Sequence, residues 1–155
     1  MSEARIEYAV LAPGAIGNLT LGMSRDEVRR LLGEPGYTEA AHEKWGLSFP
    51  EKDCFFKSCL QVRYDAELRS EDIQFSASHH FVVTFDSVPV LESTAAEIAR
   101  VIETQCPVDR NGKAFPVIYS YPELGVSLWR EGKDDEYFVT INLTEPWPRT
   151  DGSPG

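Results

Sequence analysis

Long hydrophobic runs are missing from this chain of 155 residues, and with them the roughly 20-residue apolar stretch that a membrane-spanning helix requires. Positive charge is scarce as well: 15 Lys and Arg stand against 25 Asp and Glu, a formal net charge of −10. Nucleic acid and anionic membrane are held by clustered Lys and Arg, so neither is an expected partner. A basic protein is, because complementary fields speed encounter. There are only three cysteines, Cys54, Cys59 and Cys106. The opening MSEARIEYAV has no basic-then-apolar leader. An odd count without such a leader points to reduced thiols in a cytoplasmic protein.

Signatures of catalysis are missing too. No G-x-S-x-G and no phosphate-cradling glycine loop occurs, and GEPG at 33–36 is a helix stop. Cys54 and Cys59 do not have the two-residue gap of a zinc knuckle, and half-buried strand positions account for them. His79 and His80 are adjacent before a strand, where alternation would send them to opposite faces. A third metal ligand such as Cys54, Asp72 or His42 would have to be supplied by folding. No motif gathers Cys54 or Cys59, a histidine and Asp53 into a nucleophilic site. The expectation is therefore no catalytic residue, no metal and no cofactor.

What is present is periodic. Residues 4–11 alternate as a strand, with Ile6, Tyr8 and Val10 on one side. Ser24 and Glu27 form a capping box, and Val28, Leu31 and Leu32 follow as one helical stripe that Gly33 and Pro35 end, giving a helix over 24–33. In 34–53 the alternation of Trp45, Leu47 and Phe49 suggests a short strand with Trp45 in the core, weakened by Gly46 and Pro50. Leu60, Val62 and Tyr64 form a strand with one buried face, and Ile73–Phe75 and Phe81–Phe85 begin two more. Thr94 and Glu97 then make a second capping box, ahead of Ile98, Val101 and Ile102. Strands follow at 117–121, from Val126 and from Val139, with GKDDE as the turn between the last two.

The halves superpose. At an offset of 70, Leu21, Ser24, Glu27, Val28, Leu31 and Leu32 fall on Leu91, Thr94, Glu97, Ile98, Val101 and Ile102. At an offset of 66, Phe49 and Pro50 fall on Phe115 and Pro116, Leu60 on Val126, and Phe75 on Ile141. These offsets imply a four-residue deletion in the second copy. The chain is thus expected to be one α+β domain over 1–145, with tandem β-α-β-β-β repeats at about 4–77 and 80–145. Together they would form one antiparallel sheet of about eight strands with helices on one face. The tail 146–155, which holds Trp147, would be disordered.

The segment LTLGMSRDEVRRLLGEP resembles the opening helix of small bacterial proteins with the β-lactamase-inhibitor-protein-like fold, an opening shared by small lipoproteins of outer-membrane assembly. Leu21, Gly22, Met23, Val28, Leu31, Leu32 and Gly33 carry it, by placing and packing a helix. The chain departs from the lipoproteins in having no lipoprotein signal, and from the secreted inhibitors in showing no disulfide framework. The resemblance implies a sheet that offers a concave, aromatic-bearing surface to a partner.

By strand parity the helix-free face would carry Gln61, Arg63, Gln74, Thr84, Ser127, Trp129, Phe138 and Thr140. Exposed aromatics and Arg dominate interface centres. The expected partner-binding residues are therefore Gln61, Arg63, Ser127, Trp129 and Phe138. With them comes a non-enzymatic, protein-binding bacterial module, of which an immunity protein or inhibitor is one form. A small-ligand carrier or sensor, with its pocket between sheet and helices, and an enzyme are the alternatives.

Overall fold

The computed structural model describes residues 5–11, 13–112 and 114–147. Sixteen elements follow one another along these residues. The first half holds β1 (Ile6–Ala9), β2 (Ala15–Ile16), β3 (Leu19–Thr20), α1 (Arg25–Leu32), β4 (Tyr37–Glu39), β5 (His42–Lys44), β6 (Leu47–Phe49), β7 (Lys52–Phe55), β8 (Leu60–Tyr64) and β9 (Ser70–Ser76). The second holds β10 (Phe81–Phe85), β11 (Val88–Pro89), α2 (Ala95–Glu103), β12 (Ile118–Tyr121), β13 (Val126–Trp129) and β14 (Thr140–Thr144). The fold is mixed α+β, and none of its described helices is long and apolar enough to cross a membrane. Of the tail expected to be disordered, residues 148–155 lie outside the described ones; Trp147 is held, its backbone N–H donating to the Pro122 carbonyl at 3.1 Å.

Both helices start as their capping boxes dictate. Ser24 Oγ accepts from the Glu27 backbone N–H at 3.2 Å, and Thr94 Oγ1 accepts from that of Glu97 at 3.2 Å. Each satisfies a first-turn donor that a helix leaves free. The hydroxyls donate in turn to the Glu27 and Glu97 carboxylates. At the far end of α1, Gly33 takes φ 86° and its N–H donates to Arg29 O.

Seven strands, not eight, form the large antiparallel sheet, in the order β12-β13-β14-β9-β8-β7-β4. The expected first strands of the two halves do not join it. β1 and β10 pair with each other instead, in parallel, and β11 completes a separate three-stranded sheet. Alternation reports that a strand has one buried face but not which sheet buries it. β2 with β3, and β5 with β6, make two small ribbons.

The inward rows of the large sheet run Phe55–Leu60–Phe75–Ile141–Leu128 and Asp53–Val62–Ile73–Leu143–Val126 across paired strands. Val28 of α1, Ile98 and Ile102 of α2, and Tyr8, Phe81 and Val83 of the smaller sheet join them in one continuous core. The rings of Tyr8, Phe75 and Phe81 meet at centroid distances of 5.0–5.7 Å, which locks the two sheets together.

One charge lies inside this wall. The Asp53 carboxylate is fully buried on β7 and accepts four hydrogen bonds. Arg29 of α1 donates two, from Nε at 2.9 Å and Nη2 at 2.8 Å; Thr38 Oγ1 donates at 2.8 Å and the Tyr64 hydroxyl at 2.9 Å. Burial by itself would raise the Asp53 pKa, but these donors hold it below the usual carboxylate range. Burial and the same carboxylate push the Tyr64 phenol far above its ordinary value. The offsets of 70 and 66 pair Arg29, Asp53 and Tyr64 with Ala99, Tyr119 and Arg130. At those positions Arg130 lies 5.5 Å over Tyr119 and 5.8 Å over Phe138.

Candidate functional site

The outer face of the large sheet follows from the pairing register, because residues directly opposite each other share a face. A neutral row crosses all seven strands as Tyr37–Cys54–Gln61–Gln74–Asn142–Ser127–Ser120. Beside it runs a charged row, Glu39–Lys52–Arg63–Asp72–Thr144. Within that row Lys52 pairs with Glu39 at 3.6 Å and Arg63 with Asp72 at 3.5 Å. Burial raises the Asp72 pKa, while a hydrogen bond from Asn142 and the charge of Arg63 pull it back. On the other side of the neutral row lie Ser76, Thr140, Trp129 and Ile118.

Of the five expected binding residues, this face carries Gln61, Arg63, Ser127 and Trp129. Arg63 and Trp129 are not neighbours. Three strand spacings, roughly 14 Å, and four residues along the strand, about 13 Å, separate them on the lattice of the sheet. Phe138 is not on the face at all: it is 1% exposed and packs edge-on against Tyr119 at 5.2 Å. Phe138 lies outside β14, two residues before it begins, so the alternation of that strand does not reach it. Thr84 is also elsewhere, buried on β10 with its hydroxyl donating to Glu7.

Cys54 and Asp53, which no motif gathers into a nucleophilic site, are not turned toward each other in the fold. Asp53 points inward to Arg29 while Cys54, its neighbour on the strand, faces outward. Neither Cys54 nor Cys59 holds the half-buried strand position expected of it: Cys54 is on β7 but buried, and Cys59 lies in the turn before β8. His79 and His80 precede β10 in a bend, so strand alternation does not apply and their rings lie 4.1 Å apart. Among the described residues no group of three or more His, Cys, Asp or Glu is placed to hold a metal.

The feature that sequence reasoning placed wrongly is the β5–β6 hairpin. Trp45, expected in the core, is 82% exposed, and every residue from 41 to 49 is exposed. Trp45 and Gly46 form its two-residue turn with φ of 54° and 74°. Two successive positive φ values are those of the tight hairpin turn that Asn-Gly makes best. Its strands pair only with each other. One side stacks His42 on Phe49 at 5.0 Å, and at the tip Lys44 Nζ sits 4.4 Å over the Trp45 ring. Leu47 (59% exposed) and, on adjacent β4, Tyr37 (58%) extend the apolar surface.

Two clefts flank the hairpin base. One, of about 260 Å³, lies between Ser48, Phe49 and Pro50 and the Glu39, Lys52 and Arg63 of the sheet, joining the hairpin to the charged row. The other, of about 530 Å³, is lined by Glu43, Glu51, Asp65 and Glu71 together with Phe49 and Leu68. Glu51 is paired with Arg25 at 2.6 Å, and Asp65 accepts from the backbone N–H groups of Glu67 and Arg69.

No protein-family model, no curated protein and no solved structure matches this chain.

Proposed function

We propose that this chain is a non-enzymatic protein-binding module, built of two tandem copies and acting in the cytoplasm, which grips its partner with the β5–β6 hairpin and the charged end of the open sheet face. The observation that carries this reading is Trp45, a large aromatic held in solvent at a backbone conformation that costs it energy. Bulky residues at positive φ are uncommon; Phe56 and Leu68 share the conformation but pack against the core, so exposure is what sets Trp45 apart. Exposed aromatics rimmed by polar groups are the common chemistry of interface centres. Val28, Ile98 and Ile102 pack the helices onto the sheet, and the cleft of about 510 Å³ between α2 and Tyr119 is open rather than enclosed, which favours a surface reading over an internal ligand pocket. The resemblance of the opening helix supplies the particular form, an inhibitor or immunity protein for a basic partner. The tandem reading is supported by α1 and α2 beginning 70 residues apart, and by β7 and β12, like β8 and β13, beginning 66 apart.

Affinity capture from an extract of the source cells, with the wild-type chain, Trp45→Asn and Trp129→Ala as baits, tests it. Trp45→Asn is expected to lose the captured partner. Its thermal midpoint should rise by about 3 °C, because Asn tolerates positive φ and relief of that strain is worth about 1 kcal/mol. Retention of the same partners by Trp45→Asn would sink the hairpin reading. Loss only with Trp129→Ala would move the site to the far end of the sheet.

A further inference from the structure

We infer that the hairpin docks a basic segment of the partner protein: apolar side chains of that segment cover Trp45 and Leu47 while a Lys or Arg enters the cleft between Glu43 and Glu71. This rests on the protein-binding reading and adds the chemistry of what is bound. The apolar part alone would accept many partners; the charges around it choose. Four cations near the hairpin are already engaged. Lys44 lies over Trp45, Lys52 pairs with Glu39, Arg63 with Asp72, and Arg25 with Glu51. Glu43 and Glu71 line the same cleft, are exposed, and carry no ion pair among the described residues. The surface that an incoming chain meets is therefore aromatic and apolar at the tip, beside the Lys44 ammonium, and anionic at the base.

The cleft fits the shape of such a side chain. Phe49, Pro50 and Leu68 give apolar wall for a methylene stem, and the carboxylates stand where its head group would reach. A net charge of −10 disfavours a second copy of this chain as occupant and favours a cationic one.

The test uses the full chain labelled with ¹⁵N and three capped hexapeptides as probes, alternating Leu with Arg, with Ser or with Glu. The Leu–Arg peptide is expected to shift the Trp45 indole N–H and the amides of Glu43, Leu47 and Glu71. Its Kd should rise about tenfold in Glu43→Gln/Glu71→Gln, since each exposed carboxylate is worth a factor of about 2–5. Binding should also weaken as salt is raised toward 0.5 M, as the screening length shrinks. Both substitutions are on exposed positions and keep side-chain shape, so an unchanged spectrum elsewhere certifies the fold. Equal binding of the Leu–Ser and Leu–Arg peptides, or an unchanged Kd in the double variant, overturns the basic-segment inference and leaves the hairpin reading standing. Shifts that avoid the hairpin, or no shifts with any peptide, overturn the docking mode itself. Capture with the Trp45→Asn bait then decides separately whether the hairpin binds anything.

Discussion

Replacing Asp53 by Ala is expected to lower the unfolding free energy by about 3 kcal/mol, measured by urea denaturation at neutral pH. The carboxylate is buried and fully engaged, so its removal strands the partners rather than simply deleting a contact. The Tyr64 hydroxyl, itself within the wall, loses its acceptor, and the Arg29 guanidinium loses its counter-charge. The Arg29 side chain is 27% exposed and partly rehydrates, which keeps the cost at the low end for a broken buried pair. Asp53→Asn should fall between, because an amide keeps one acceptor but turns donors toward donors. The wild type carries a matching pH signature. Asp53 has a depressed folded pKa, so its contribution is present above the unfolded carboxyl value and is lost as pH falls through the folded one. Asp72 has a raised pKa and acts in the opposite sense, its ionisation costing stability as pH rises through the folded value. Acid unfolding of Asp53→Ala should therefore be shallower than that of the wild type. Identical acid titrations of the two would remove Asp53 from this account.

Gly125→Ala is expected to cost about 3 kcal/mol or more, or to leave too little folded protein for measurement. Gly125 turns the chain from β12 into β13 at φ 69°, and a Cβ there would overlap the Thr144 carbonyl oxygen of the neighbouring strand. The obstacle is backbone that also accepts no slack, since the Thr144 N–H donates to Gly125 O at 2.8 Å. Gly46→Ala separates the two causes. Gly46 has φ 74° and nothing within 4 Å of the added Cβ, so it should show only the conformational cost, about 1 kcal/mol. Equal losses at the two glycines, read from thermal or urea midpoints, would mean that the clash at Gly125 is absorbed.

What the sequence discloses is set by how local the governing physics is. The helices were legible because Ser24–Glu27 and Thr94–Glu97 satisfy their own backbone donors within one turn. β8 and β13 were legible because Leu60, Val62, Val126 and Leu128 alternate with polar neighbours on strands with one buried face. Strand partners were not legible. Nothing within residues 6–9 states that they pair in parallel with residues 81–84. The site was half legible for the same reason. Gln61, Arg63, Ser127 and Trp129 follow from parity within strands, but their spread over the face depends on the order of the strands between them. Trp45 misled because alternation of Trp, Leu and Phe is ordinarily the mark of a core; here the pattern belongs to a hairpin that stands clear of it. The turn signal in Trp45-Gly46 was weak because Gly supplied only one of its two positive φ values.

The pairing of β1 with β10 sets an order on how the molecule is made. A ribosome delivers Ile6–Ala9 long before Phe81–Phe85, and until then only the end of the first strand is paired, where the Ala9 carbonyl accepts from the Gly17 N–H and Val10 bridges Ile16. Tyr8 likewise waits for Phe81, one of the two rings it packs against. Closing so long a loop before any reward is collected slows folding. The amino-terminal half therefore cannot mature as a free-standing unit, however complete its own helix and meander look. A fragment ending at residue 78 should show helix and strand by circular dichroism without a cooperative melt, and a sharp melt would contradict this. Each half lacks a strand partner that only the other supplies, so translation must run nearly to the end of β10 before either is sealed.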